Sequence, residues 1–323
     1  MQHRYRPLGI GLLAVLAVAL PLLTDSPYVL GIGITSLTFA VLAMSLNLVL
    51  GYGGLLSFGQ VGFFGLGAYT AALLVVDAGW NFWPAALAGA LLATVFGLVI
   101  GFVSLRLSRH AFVIVTLAFT VILELVAKDW SILTRGPAGL PGLPPPEIGG
   151  FQIEGPQHYY WLALAVAAVL LALVYRVIQS PAGRLMQAIK MNEALAKSQG
   201  IHPLPYRLLA IGLSAFIAAI IGAVHVFNLS VVDPTIFHFY YAEAILIMVL
   251  LGGVGGFWGV IAAAVVFSIV PELLRITVDA RAVIYGVLLV VMMRYMPEGL
   301  GGLPQRWQRW RARQQAREEA SHD

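Results

Sequence analysis

The sequence predicts an all-α protein, a polytopic bundle of about 8–10 transmembrane helices, with broken glycine-rich segments and a short amphipathic helix on the cytoplasmic side. Of 323 residues, 60% are hydrophobic and only 11% are charged. A soluble domain carries roughly 25% charged residues. A membrane helix needs about 20 apolar residues, so ten such helices would use roughly 200 residues. Little chain is left for a large soluble domain.

The predicted helices are continuous apolar runs rich in Leu, Ala and Val. Transmembrane strands would instead be segments of about 10 residues with alternating polarity. The run Ala242–Leu251 is short, and it becomes a full span only if the glycine-rich segment 252–256 continues the helix. The runs are Leu8–Leu23, Tyr28–Leu50, Gln60–Val76, Phe82–Val103, Ala111–Ala127, Tyr159–Val177, Leu208–Phe227, Ala242–Leu251, Phe257–Leu274 and Ala282–Met296.

The first run has an alternative interpretation. Arg4 and Arg6 followed by Leu8–Leu23 resemble the basic and apolar regions of a signal peptide, although no clean cleavage site follows. Either way the second span enters from outside.

The distribution of lysine and arginine predicts the orientation. With the N-terminus in the cytoplasm, 15 of the 19 cationic side chains lie in inner segments and 4 in outer ones. A shift of one span would reverse this distribution, against the positive-inside rule. Both termini are therefore expected in the cytoplasm. Residues 1–303 form a single transmembrane domain, followed by a basic and polar cytoplasmic tail over 304–323.

Two hydrophilic loops interrupt the runs. The outer loop, 128–158, is rich in Pro and Gly, which predicts turns and extended chain. It is either a connection or a docking surface. The inner loop, 179–207, contains Arg184–Gln199, a stretch free of Pro and Gly with an amphipathic pattern. Its apolar face holds Leu185, Ala188, Ile189, Leu195 and Ala196, and its polar face holds Arg184, Gln187, Lys190 and Lys197. Because the apolar face is small and lacks aromatic residues, docking to a soluble partner is favoured over lipid binding or a solvated connection.

Two glycine clusters, one in each half of the chain, predict interrupted helices. Irregular backbone at membrane depth is tolerated only against protein or a water-filled cavity, and transporters use such segments to build their pathway. Close helix packing is the alternative explanation for many of these glycines. The candidate pathway residues are Asn47, Gly53, Gly54, Ser57, Gln60, Gly252, Gly253, Gly255 and Gly256.

The sequence lacks the residue patterns of several chemistries. There is no cysteine, which excludes disulfides and thiolate metal sites, and no histidine spacing indicates a metal. No catalytic constellation is found, so no enzymatic activity is expected. The three lysines follow Ala127, Ile189 and Ala196, so the Gly-Lys pair of a nucleotide-binding loop is absent. ATP, if used, must bind to another subunit.

Several motifs, in order, resemble the permease subunits of branched-chain amino acid ABC importers. The resemblance covers roughly residues 30–300 and rests on Leu46–Gln60, Gly62–Tyr69, Arg135–Leu140, Gly183–Ile201 and Leu251–Gly256.

The resemblance implies an inner-membrane subunit that pairs with a second, related permease, as a homodimer or a heterodimer. Two cytoplasmic ATP-binding subunits, which would hold ATP and Mg, and a soluble periplasmic or lipid-anchored substrate-binding protein would complete the importer. Membrane lipid is an expected partner, and nucleic acid is not. The inner loop would be a coupling helix seated on the ATPase. The residues expected there are Arg184, Ala188, Ile189, Asn192, Glu193, Ala194 and Gly200.

The cargo and the mechanism have alternatives. Related permeases carry urea, short amides or aromatic acids, and the spans do not separate these from hydrophobic amino acids. An ATP-independent channel or an ion-coupled carrier is disfavoured because charges deep within the spans are nearly absent.

Overall fold

The computed structural model describes residues 17–148 and 150–273. The predicted span Ala282–Met296, the tail 304–323 and most of the run Leu8–Leu23 lie outside the described residues. Of that first run, residues 17–23 are described and are helical.

Every predicted apolar run within the described residues is a helix, which confirms the fold class. Among residues 17–148 and 150–273, six helical segments are long and apolar enough to cross a membrane, the first being α1 together with the π-helical turn Leu48–Tyr52 that continues it. The helices are α1 (Pro27–Asn47), α2 (Gly59–Val76), α3 (Phe82–Ser104), α4 (Arg109–Asp129), α5 (Ser131–Thr134), α6 (Pro156–Gln179), α7 (Pro181–Met191), α8 (Glu193–Ser198), α9 (Pro203–Leu229), α10 (Phe239–Gly252) and α11 (Phe257–Leu273).

Helices α1, α2 and α9 form the centre of the bundle. The most apolar stretch of α9 is 78% buried, whereas that of α4 is 28% buried. Glycines let α2 and α9 approach closely, because a Cβ on Gly222 would collide with the carbonyl oxygen of Phe64. The outer helices present large apolar side chains such as Leu91, Val95 and Val99, each more than half exposed. Such a surface fits lipid or another membrane subunit.

The outer loop folds mainly as turns and short strands, as predicted, but it also contains the short helix α5 and a 3-10 turn over Gly136–Ala138. Strand β1 (Leu140–Pro141) pairs antiparallel with β4 (Val231–Val232), and β2 (Glu147–Ile148) pairs with β3 (Phe151–Gln152). The Trp83 indole donates a hydrogen bond to the Glu147 carbonyl at 2.9 Å. The loop is therefore held against the bundle.

The inner loop departs from the predicted single helix over Arg184–Gln199. It forms two helices, α7 and α8, separated at Asn192, whose backbone is extended at φ −154° and ψ 99°. The Asn192 side chain accepts a hydrogen bond from the Leu195 amide at 3.0 Å and so caps α8. The prediction of one continuous helix was wrong because this capping competes with helix propensity. Gly200, at φ 79°, follows the end of α8.

Candidate coupling site and glycine junction

Both glycine clusters interrupt helices, and they meet at one end of the bundle. Helix α10 ends at Gly252 and α11 begins at Phe257, so the short run does not continue as one helix. Gly253 has φ 95° and Gly255 has φ 86°, a backbone conformation that favours glycine. Together, Asn47, the segment 51–54 and the segment 253–256 form what we call the glycine junction.

Asn47 joins the two breaks. Its Oδ1 accepts a hydrogen bond from the Gly255 amide at 2.9 Å, and its Nδ2 donates to the Gly256 carbonyl at 3.1 Å. The Asn47 side chain is fully buried. A Cβ on Gly51 would collide with Asn47 Oδ1 and lie 2.6 Å from the Gly255 amide nitrogen. The junction therefore requires glycine at position 51, where backbone meets backbone.

After the junction the chain runs back into the bundle as a non-helical segment over 53–58. Phe58 donates its amide to Thr116 Oγ1 at 3.2 Å, and Thr120 Oγ1 donates to the Phe58 carbonyl at 3.0 Å. Thr116 lies seven residues beyond the start of α4 at Arg109, or roughly 10 Å along the helix axis at the usual rise per residue. The end of the segment thus lies within the bundle, where two threonines of α4 satisfy both backbone groups of Phe58. No local pattern in the sequence singled out these threonines.

Ser57 precedes α2, and Gln60 lies in its first turn. Ser57 Oγ accepts the Gly59 amide at 3.2 Å. Gln60 is 1% exposed, and its Nε2 donates to Ser214 Oγ of α9 at 3.3 Å. Its Oε1 has no hydrogen-bond partner within the described part of the chain. The structure therefore brings Asn47 together with Gly255 and Gly256, whereas Ser57 bonds locally at the start of α2 and Gln60 contacts α9.

Helices α7 and α8 lie at the same end as the glycine junction. Met186, Ile189 and Ala196 face the bundle and are at most 5% exposed. Of the predicted coupling residues, Ile189 is therefore placed to act through packing, and six others lie on or near the surface: Arg184, Ala188, Asn192, Glu193, Ala194 and Gly200.

The same surface holds two apolar side chains outside the predicted coupling set. Met191 is 87% exposed and Leu195 is 59% exposed. Exposed Met and Leu side chains on a short helix pair are suited to a protein contact.

Glu193 connects the inner loop to two membrane helices. Its carboxylate pairs with Arg207 of α9 at 2.7 Å, with Lys197 at 2.9 Å and with Arg109 of α4 at 3.9 Å. Hydrogen bonds from Arg207 and Lys197 lower the pKa of Glu193 to about 2. The carboxylate is therefore ionised at neutral pH and braces α8 against the bundle.

Lys190, the last cation of α7, reaches the glycine junction. Its ammonium donates a hydrogen bond to the Gly51 carbonyl at 2.6 Å. Partial burial lowers the pKa of Lys190. Its position in the sequence, on the polar face of the predicted helix, gave no signal of this contact.

These observations define a multi-pass membrane protein of the permease class, in which a pair of short amphipathic helices is seated on interrupted membrane helices. The family model of the branched-chain amino acid transport system / permease component matches residues 28–293. The chain belongs to this family.

Individual relatives agree with that assignment. The chain is 30% identical over 311 residues to the high-affinity branched-chain amino acid transport system permease protein LivM of Escherichia coli, covering 89% of this chain and 73% of that protein. It is 24% identical to the permease protein LivH of the same organism, covering 83% and 92%. A solved structure, PsaBC from Streptococcus pneumoniae in complex with Fab, aligns with a TM-score of 0.45 at 15% identity, over 89% of this chain and 95% of that chain.

Proposed function

We propose that this chain is the transmembrane permease subunit of an ATP-driven importer for branched-chain or other hydrophobic amino acids. It forms the translocation path with a second, related permease. Two cytoplasmic ATP-binding subunits supply the energy, and a soluble substrate-binding protein delivers the cargo. The chain itself is non-catalytic, lies in the inner membrane and has both termini in the cytoplasm.

The observation that supports this proposal most is the surface of α7 and α8. It combines exposed Met191 and Leu195 with a framework fixed by Glu193 ion pairs, so that apolar side chains are held on a rigid base. An ATPase groove that receives these side chains would transmit its motion to α4 and α9 through Arg109 and Arg207.

The relatives support the cargo and the pairing. The LivM and LivH proteins are both described as permease proteins of branched-chain amino acid transport, and this chain aligns with each over most of its length. The similarity of this chain to both proteins supports a translocation path between two related subunits.

Co-purification tests the proposed docking surface. Met191→Glu and Leu195→Glu place charges on exposed positions, where they leave the monomer fold intact but oppose an apolar contact. We expect the tagged permease to lose its ATPase subunits and ATP-dependent uptake. Ile132→Glu is the matched control, because Ile132 is 94% exposed and follows α4 at the opposite end of the bundle.

A loop replacement makes the test more stringent. If the ATPase still binds and transport persists after Arg184–Gly200 is replaced by a Gly/Ser linker, the coupling assignment is wrong. The cargo is tested separately by measuring uptake of leucine, isoleucine and valine beside urea, a short amide and an aromatic acid. Preference for one of the last three would overturn the proposed substrate class while leaving the permease role intact.

A further inference from the structure

The Gly51 carbonyl is left without its helical partner by the way α1 ends. In an α-helix this oxygen would accept the amide of Leu55, four residues on. Here the π-helical turn directs the Leu55 amide to the Val49 carbonyl at 3.1 Å, and the Gly53 amide bonds to the Leu48 carbonyl at 3.1 Å. The Gly51 oxygen is therefore available to an outside donor, and Lys190 fills that position.

The Lys190 side chain lies directly on the junction. A Cβ on Gly54, whose φ is +71°, would be 3.0 Å from Lys190 Cγ. A Cβ on Gly255 would be 4.0 Å from Lys190 Nζ and 3.2 Å from the Gly51 oxygen. The ammonium, the end of α1 and the turn between α10 and α11 therefore meet at one place.

The contacts continue beyond Lys190 in a defined order. Lys190 holds the Gly51 carbonyl, Gly51 packs on Gly255, and Asn47 is bonded to both Gly255 and Gly256. A cation also suits this position electrostatically, because the C-terminal end of a helix carries partial negative charge. A displacement of α7 is thus imposed on two interrupted helices that are about 200 residues apart in sequence.

We propose that Lys190 is a positioning residue that ties the cytoplasmic helix pair to the glycine junction, so that α7, the end of α1 and the turn 253–256 move as one unit during transport. The proposal rests on the proposed function only in assigning α7 and α8 to the ATPase. It adds the connection by which their displacement reaches the membrane helices.

The first test separates positioning from assembly. The complete importer is reconstituted in liposomes with Lys190→Met, Lys190→Arg or Lys128→Met, and leucine uptake is measured together with ATP hydrolysis. Lys128 is the matched control, a lysine that lies far from the inner loop, in the last turn of α4, where it pairs with Glu124. We expect Lys190→Met to retain its ATPase subunits and its hydrolysis while uptake per ATP falls about tenfold. Lys190→Arg keeps the cation and should restore most of that ratio.

A spin-label distance reports the connection without transport. The chain has no cysteine, so Gln187→Cys of α7 and Val254→Cys of the turn give two unique labels at exposed positions on either side of the contact, and neither residue belongs to the proposed docking surface. With cysteine-free partner subunits, the distance distribution between them should be narrow and unchanged by ATP. In the Lys190→Met background it should broaden or shift.

The outcomes are distinguishable. An unchanged uptake-to-hydrolysis ratio in Lys190→Met, loss of the ATPase from that variant, or an unchanged 187–254 distance distribution would each overturn the positioning role. Failure of the unmutated complex to take up leucine with ATP would instead refute the proposed function, and the label distance would still test the Lys190 contact.

Discussion

The Asn47 bridge should contribute measurably to the stability of the fold. Asn47→Leu preserves side-chain volume while it removes both hydrogen bonds to the turn 253–256. Hydrogen bonds between membrane helices contribute about 0.6 to 1.7 kcal/mol each, so losing two predicts a loss of about 1 to 3 kcal/mol of unfolding free energy. The effect should lie in the upper half of that range, because the Gly255 amide and the Gly256 carbonyl lose their Asn47 partners together.

Equilibrium unfolding in mixed micelles measures this loss. Ser45→Ala is the control, since Ser45 is also fully buried in α1 but donates only to the Leu42 carbonyl of its own helix. We expect Ser45→Ala to lower the unfolding free energy by less than about 0.5 kcal/mol, because the lost hydrogen bond lies within a single helix. The unfolding free energy of Asn47→Asp should lie between those of the wild type and Asn47→Leu only at a pH low enough to protonate the introduced aspartate. Equal stabilities for Asn47→Leu and Ser45→Ala would refute the bridge.

Three further predictions concern the inner loop and the helix contacts. Glu193→Gln should lower the unfolding free energy by about 1–2 kcal/mol at pH 7, after allowance for solvent screening. Because the pKa of the Glu193 carboxylate is lowered to about 2, the difference between variant and wild type should shrink as the pH falls below 4.5. A constant difference from pH 7 to pH 3 would argue against the ion pairs. Gly222→Ala should destabilise by about 1–3 kcal/mol through collision with α2, whereas Gly31→Ala, with nothing within 4 Å, should be neutral or slightly stabilising in the same thermal unfolding assay. Thr120→Val should cost about 1 kcal/mol and increase hydrogen exchange over 53–58, while Thr94→Val, which loses only a bond to its own helix, should not change exchange there.

The helices were predictable because bilayer length and apolar content are properties of contiguous sequence. The predicted run Phe82–Val103 and the observed α3 differ by a single residue. The glycine-rich breaks were equally readable, since several glycines close together weaken a helix wherever it is placed.

The contacts between the breaks could not be predicted in the same way. Asn47 and Gly255 are separated by 208 positions, and nothing near either residue indicates the other. Lys190 belongs by its spacing to the polar face of an amphipathic helix, and only the fold brings its ammonium to the Gly51 carbonyl. Asn192 carried a local signal, its capping ability, which the composition of good helix formers around it obscured.

The most direct test of the central claim is leucine uptake into proteoliposomes that contain this chain, its partner permease, the ATP-binding subunits and the binding protein. We expect uptake when ATP is enclosed on the side of the membrane that carries the ATPase subunits, and none when those subunits or hydrolysable ATP are omitted. Sustained leucine uptake by this chain alone, without ATP, would refute its role as a subunit of an ATP-driven importer.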